Sequence, residues 1–232
     1  MNVRALDGPR LSPLKGTATQ LVVFLHGYGA DGNDLIGLAP QFQRGLPTAA
    51  FVSPNAPERC PGAGYQWFAL SRIDPHELTR GVVAAAPVLD AFLDAELARL
   101  NLTEERLALI GFSQGTMMAL HVGLRRQRMP AAIVGFSGVL VAPKETPASE
   151  TARPPILLAH GDADPLIPPV ATIEAAAALG AAGLPVRWHF SQGIAHGIGP
   201  DAIALGAEFL TEAFAGKLNP RETPIACAWP GR

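Results

Sequence analysis

The stretch LALIGFSQGTMMAL, residues 107–120, decides how the rest of the chain is read. An apolar run enters it, a helical pattern leaves it, and one serine, Ser113, stands between Gly111 and Gly115. The pattern G-x-S-x-G is weak by itself, since a composition of this kind gives roughly 0.07 chance matches in a chain of this length. Context strengthens it. A strand-to-helix turn sharp enough to lift a side chain above a sheet needs small residues on both sides, and Gly111-Phe112-Ser113-Gln114-Gly115 supplies them. The hydroxyl would then stand at the carboxyl end of the sheet and at a helix N-terminus, where free N–H groups favour negative charge. The competing reading is one small polar residue in a glycine-rich loop. Gly135-Phe136-Ser137-Gly138 serves as a comparison: it also follows an apolar run, but the second glycine is misplaced and Val139-Leu140-Val141 follows instead of a helix. Ser137 is therefore expected to end a strand beside the pocket.

Outward from this turn, residues 21–25, 50–52, 107–112, 131–136, 156–160 and 186–190 form short apolar runs ending at Gly, Ser, Asn or Pro. Continuous rather than alternating runs describe strands covered on both faces. Helical patterns lie between them, at 33–43, 75–100, 114–126, 170–182 and 200–215. Strand alternating with helix implies an α/β fold, a doubly wound, mainly parallel sheet flanked by helices. Pro87 inside the longest helical pattern predicts a kink or two helices. Segments 54–75 and 143–155 are rich in Pro and Gly, and the first is long enough to be a lid or binding loop. The chain reads as a single domain, 1–232, with a core from about 20 to 216 and a C-terminal tail, 217–232, without periodicity.

Composition narrows the function. With 48% hydrophobic and 16% charged residues and a net charge of -2, the chain can bury one substantial core and is not of the disordered class. Near-neutral charge gives no electrostatic reason to expect nucleic acid or an anionic membrane as partner. Arg125, Arg126 and Arg128 form the one tight basic cluster and are expected to cap a helix C-terminus. The two cysteines, Cys60 and Cys227, make no disulfide framework and read as unpaired thiols in a cytoplasmic protein. The segment MNVRALDGPRLSPLKG has no signal-like apolar core, and no run approaches the roughly 20 residues of a stable membrane insertion.

A serine hydroxyl needs a base, and the base needs an orienting acid. With a serine at such a turn the partners follow in the order Asp or Glu, then His. After Ser113 come His121, His160, His189 and His196. His121 lies two turns into the helix, His160 ends a strand, and His189 falls inside one. His196 sits in a loop between the last strand and the last helix, flanked by Gly193 and Gly197, and is the expected base. The acid comes from the loop of residues 160–168, HGDADPLIP, where spacing leaves both Asp162 and Asp164 open. An oxyanion hole needs two backbone N–H donors. Gln114, just after the serine, offers one, and the glycine-rich loop after the first strand offers the other through Tyr28. His26 in that loop reads as an anchor. Trp67, Phe68 and Leu70 in the long loop, with Leu140 and Ile167 near strand ends, are the candidate substrate-binding residues; Trp67 is expected nearest the surface. No Cys/His cluster has metal-ligand spacing, and neither metal nor cofactor is expected.

Together, FLHGYGADGNDL, FVSPNAPE, QWF, LIGFSQG, HGDADPLIP and GIAHGI resemble the phospholipase/carboxylesterase family of α/β-hydrolases, which includes the acyl-protein thioesterases. The resemblance runs from about residue 20 to 214 with the motifs in family order. It implies the α/β-hydrolase fold, Ser113 as nucleophile, His196 as base, Asp164 rather than Asp162 as acid, and an oxyanion hole from Tyr28 and Gln114. Thr116 stands where the thioesterases usually have a second glycine, and Tyr28 replaces their common leucine. The implied activity is a carboxylesterase acting on small-molecule esters of small to medium acyl chains. The alternatives are an acyl-protein thioesterase or lysophospholipase acting on longer chains, and a non-catalytic binding module of the same fold. A homodimer is common in such families.

Overall fold

The computed structural model describes residues 5–71, 74–142 and 153–218. The strands are β1 (Arg10–Leu11), β2 (Gln20–Leu25), β3 (Ala49–Val52), β4 (Glu58–Arg59), β5 (Tyr65–Gln66), β6 (Leu107–Phe112), β7 (Ala132–Phe136), β8 (Ile156–Gly161) and β9 (Val186–Ser191). The α-helices are α1 (Gly32–Ile36), α2 (Ala39–Gln43), α3 (Pro75–Leu100), α4 (Gln114–Gly123), α5 (Val170–Ala181) and α6 (Pro200–Phe214). Seven strands make one sheet in the order β1-β3-β2-β6-β7-β8-β9, parallel throughout except for β1. All six apolar runs read as strands lie in this sheet, and residues alternate between two apolar layers as a strand requires. Leu21, Val23 and Leu25 of β2 join the layer containing Leu89, Met117 and Leu179 from α3, α4 and α5. Val22 and Phe24 join the opposite layer, with Phe42 and Leu210 from α2 and α6. The doubly wound, mainly parallel architecture expected from the alternation is therefore the one observed.

Three expectations need correction. The pattern over 33–43 is two helices, not one, because Gly37 ends α1 and Pro40 has no N–H to continue the ladder. Conversely, of the two outcomes expected at Pro87, two helices are not observed: α3 is one helix with the proline inside it. The proline cannot donate to the carbonyl four residues back, on Val83, a residue on the exposed side of the helix. In the basic cluster, Arg125 caps a helix, donating from Nη1 to the His121 carbonyl at 3.1 Å. The Arg126 side chain is buried instead and fans out to Asp90 and Asp94 of α3 and to Glu104, tying the segment after α4 to α3.

Strand β1 lay outside the expected core of about 20 to 216. It pairs antiparallel with β3, Arg10 opposite Val52, and Arg10 reaches the buried Glu96 of α3 at 2.7 Å. The tail from 219 onward, with Cys227, and most of the 143–155 segment lie outside the described residues. Cys60 is buried and free. Among the described residues no helix is long and apolar enough to cross a membrane.

Candidate active site

Ser113 lies between β6 and α4 with φ 54° and ψ -116°, a conformation that strains any residue carrying a Cβ. The surroundings over-determine it. Its N–H donates to the Phe136 carbonyl of β7 at 2.9 Å, and its own carbonyl accepts from Thr116 N–H at 3.0 Å. The two glycines of the motif are required by contact. A Cβ on Gly115 would lie 1.8 Å from the Leu25 carbonyl oxygen, and one on Gly111 would lie 2.4 Å from the Gly115 carbonyl oxygen. Thr116, the departure from the thioesterase pattern, has its counterpart across the turn. Its hydroxyl donates to the Phe136 carbonyl at 2.8 Å, and its methyl fills the space beside Gly135, whose Cβ would approach it to 2.6 Å.

The loops after β6, β8 and β9 bring three expected residues together. His196 Nε2 is 3.0 Å from Ser113 Oγ, and His196 Nδ1 is 2.7 Å from Asp164 Oδ2. Because a carboxylate only accepts, Nδ1 carries the hydrogen and Nε2 is left to accept from the serine hydroxyl. The Asp164 side chain is buried, and its Oδ1 accepts from the N–H groups of Leu166 and Ile167 at 2.8 and 3.0 Å. Burial pushes this carboxyl up, but the bonds from His196, Ile167 and Leu166 and the charge of His196 hold it below the ordinary carboxylate value. It is therefore ionised wherever the imidazole can work. Asp162, the competing acid, faces elsewhere: its Oδ1 accepts from Gly193 N–H at 2.6 Å and fastens the histidine loop. Of the other histidines, His121 is buried in α4 and pushed down to about 4, first by burial and then by Arg125. His189 pairs with Asp201 at 2.7 Å.

The loop after β2 runs beside the serine; a Cβ on Gly27 would lie 3.3 Å from Ser113 Cβ. Gly29 N–H donates to the Tyr65 carbonyl at 2.9 Å, and Tyr65 N–H returns to Ala30 at 2.8 Å. Tyr28 and Gln114 N–H, by contrast, have no acceptor among the described residues. His26 is the anchor expected of it. It is wholly buried, its Nε2 accepts from Ala56 N–H at 3.0 Å, and Nδ1 donates to the Gly27 carbonyl at 2.8 Å. Burial holds its imidazole below the usual value, consistent with that neutral form.

The long 54–75 loop is strapped down. The β4–β5 hairpin and the bridge from Tyr65 to Ala30 fix its first part. Gln114 fixes the next, its Oε1 accepting from Trp67 N–H and its Nε2 donating to the Phe68 carbonyl, both at 2.8 Å. This corrects the expectation for Trp67, which is 1% exposed rather than at the surface. Its indole N–H donates to the His26 carbonyl at 3.0 Å, which makes burial of the ring cheap. Phe68 is buried against Gly81 of α3, and Ile167 is buried in the same apolar layer; Leu70 and Leu140 are half-buried on its edge. Sequence reasoning missed the roles of Ser137, whose hydroxyl donates to the Gly197 carbonyl at 2.9 Å, and of His160 beside Asp164. The only sequence signal for either was position: each ends a strand neighbouring the site.

The phospholipase/carboxylesterase family profile matches residues 7–213, and the chain belongs to that family of serine hydrolases of the carboxylesterase and acyl-protein thioesterase type. Among solved structures it is similar to esterase PE8, 43% identical with a TM-score of 0.86, covering 90% of this chain and 99% of that one. It is also similar to acyl-protein thioesterase 1 of Schizosaccharomyces pombe, 32% identical over 66% of this chain and 71% of the relative. Acyl-protein thioesterase 1 of Gibberella zeae is 25% identical over 90% of this chain and 97% of the relative.

Proposed function

We propose that the protein hydrolyses carboxylic esters of small to medium acyl chains through an acyl-enzyme on Ser113. One observation carries this reading: the hydrogen-bonded line from Asp164 through His196 to Ser113, 2.7 and 3.0 Å, ending on a strained turn. His196 Nε2 takes the hydroxyl proton as Ser113 Oγ attacks the ester carbonyl. Asp164 holds the tautomer and stabilises the imidazolium. The developing oxyanion is received by the free N–H groups of Tyr28 and Gln114. His196 then gives its proton to the departing alcohol, and water repeats the cycle on the acyl-enzyme. The shorter-chain preference is supported by the side chains at the expected acyl site: Trp67, Phe68 and Ile167 are already committed to the core, which leaves the half-buried Leu70 and Leu140 for substrate contact. The similarity to esterase PE8 supports ester hydrolysis as the reaction. A cytoplasmic location accords with the sparse cysteines.

The second reading, an acyl-protein thioesterase, is favoured by the similarity to the two fungal acyl-protein thioesterases. The experiment compares wild type with Ser113→Ala on p-nitrophenyl esters from acetate to palmitate. A loss of several orders of magnitude in Ser113→Ala, with wild-type turnover greatest on short chains, is the expected result. A wild-type maximum at long chains would favour the thioesterase reading, and equal activity of the two proteins would remove Ser113 as nucleophile.

A further inference from the structure

His160 is the next-to-last residue of β8, four residues before Asp164, and is buried, 1% exposed. Its Nε2 lies 3.1 Å from Asp164 Oδ2 and 3.0 Å from the Ile167 carbonyl oxygen. Both neighbours are acceptors, so Nε2 must carry the hydrogen. Its Nδ1 lies 2.8 Å from the Thr172 hydroxyl of α5, which can donate to it and so fix this tautomer. Asp164 Oδ2 therefore has two imidazoles on it, one from His196 at 2.7 Å and one from His160 at 3.1 Å.

We infer that His160 is a positioning residue of the reaction: with Thr172 setting its tautomer, it holds the Asp164 carboxylate in the rotamer that receives His196. The inference rests on the role proposed above for Asp164. Geometry argues for it. The Leu166 and Ile167 N–H groups fix Oδ1 alone, and a carboxylate held at one oxygen can still swing the other. His160 is the second donor on Oδ2 besides His196, and the same N–H grips the Ile167 carbonyl at the far end of the loop. A purely structural histidine, closing the loop through Ile167, would leave the orientation of Asp164 to His196 itself.

The test measures kcat and KM on p-nitrophenyl butyrate for wild type, Ser113→Ala, Asp164→Ala, His160→Phe, His160→Gln, Thr172→Val and the double variant Asp164→Ala/His160→Phe, with fold checked by circular dichroism. His160→Phe is expected to lower kcat by about 10- to 100-fold and leave KM within about two-fold, the range for partners that orient a reacting group indirectly. His160→Gln, which keeps an amide N–H where Nε2 stands, should recover most of the loss. In the Asp164→Ala background His160→Phe should cost nothing more. Folded His160→Phe with wild-type kcat overturns the inference, and so does a loss that multiplies undiminished with that of Asp164→Ala. Should His160→Phe not fold, Thr172→Val decides: a kcat lower by about three- to ten-fold, the loss of one neutral hydrogen bond, supports the inference and wild-type kcat overturns it. Full activity in Ser113→Ala would instead overturn the parent reading, and this one with it.

Discussion

The Ser191 hydroxyl donates to Asp201 Oδ1 at 2.7 Å, joining the last residue of β9 to the first turn of α6 across the neck of the loop that carries His196. The other oxygen of Asp201 meets His189 Nε2 at 2.7 Å. There is no room for more at this neck: a Cβ on Gly199 would lie 2.4 Å from Asp201 Oδ1 and 2.5 Å from Ser191 Oγ. The imidazole that faces Ser113 is thus held by its own loop's closure as well as by Asp164.

Removing that closure should loosen the histidine without touching it. Asp201→Ala is expected to lower kcat about three- to ten-fold and stability by about 1 kcal/mol, read from urea midpoints. The Asp201 carboxyl is pushed up by burial, but the bonds from His189, Ser191 and Ala202 N–H hold it below its ordinary value. A depressed carboxyl contributes stability above the ordinary carboxylate range and loses it as pH falls through the depressed value. Asp201→Asn should therefore show a shallower decline in stability on the acid side than wild type; an equal decline would sink the assignment.

Ser137 offers a cleaner separation of activity from stability. It holds the Gly197 carbonyl at 2.9 Å while sitting at φ 46°, where a Cβ is unwelcome. Ser137→Ala and Ser137→Gly both lose the hydroxyl, and kcat should fall about three- to ten-fold in each. Stability should separate them, with the glycine variant the more stable by roughly 1 kcal/mol because it relieves the torsion. Two variants with equal melting temperatures would mean that the torsion carries no strain.

Thr116 and Gly135 should behave as a matched pair. Gly135→Ala drives a methyl to within 2.6 Å of Thr116 Cγ2 and is expected to cost about 1 to 3 kcal/mol. Thr116→Ser removes that methyl and keeps the hydroxyl bonded to the Phe136 carbonyl. Combined with Gly135→Ala it should recover most of the loss, a coupling of about 1 kcal/mol or more in a double-mutant cycle. Additive losses would show that the strain lies with Leu158, which the new methyl would approach to 3.1 Å.

His121 should govern part of the acid sensitivity. Its imidazole is held at about 4 against an ordinary 6.5, chiefly by burial, and its Nδ1 has no partner among the described residues. The unfolded chain takes up a proton first, so the folded state loses stability as pH falls from about 6.5 toward 4 and no further below. Over that window wild type should lose roughly 2 to 3 kcal/mol more than His121→Gln, by urea unfolding at each pH. Parallel curves for the two proteins would rule the histidine out.

The sheet was legible in the sequence because strands covered on both faces must be continuously apolar, and 107–112 and 156–160 could be nothing else in that context. The serine turn was legible because its glycines are forced by contact. What escaped had no pattern to read. β1 is two residues long and owes its place to Arg10 reaching Glu96, a partner 86 positions away. Trp67 looked like a surface residue because its loop is rich in Gly and Pro; the acceptor for its indole, the His26 carbonyl, is supplied by another part of the chain. Spacing could not choose between Asp162 and Asp164 because both leave the same loop. Their different partners, Gly193 and His196, exist only once β9 lies beside β8.

The torsion at Ser113 makes the proposed nucleophile one of the least comfortable residues in the chain. Glycine alone would sit there without complaint, and glycine has no hydroxyl. Ser113→Gly should accordingly outlast the wild type in heat while doing nothing for its substrate. Breeding this scaffold for endurance alone would tend to erase its chemistry at that position, so a screen for hardier versions has to ask for turnover at every round.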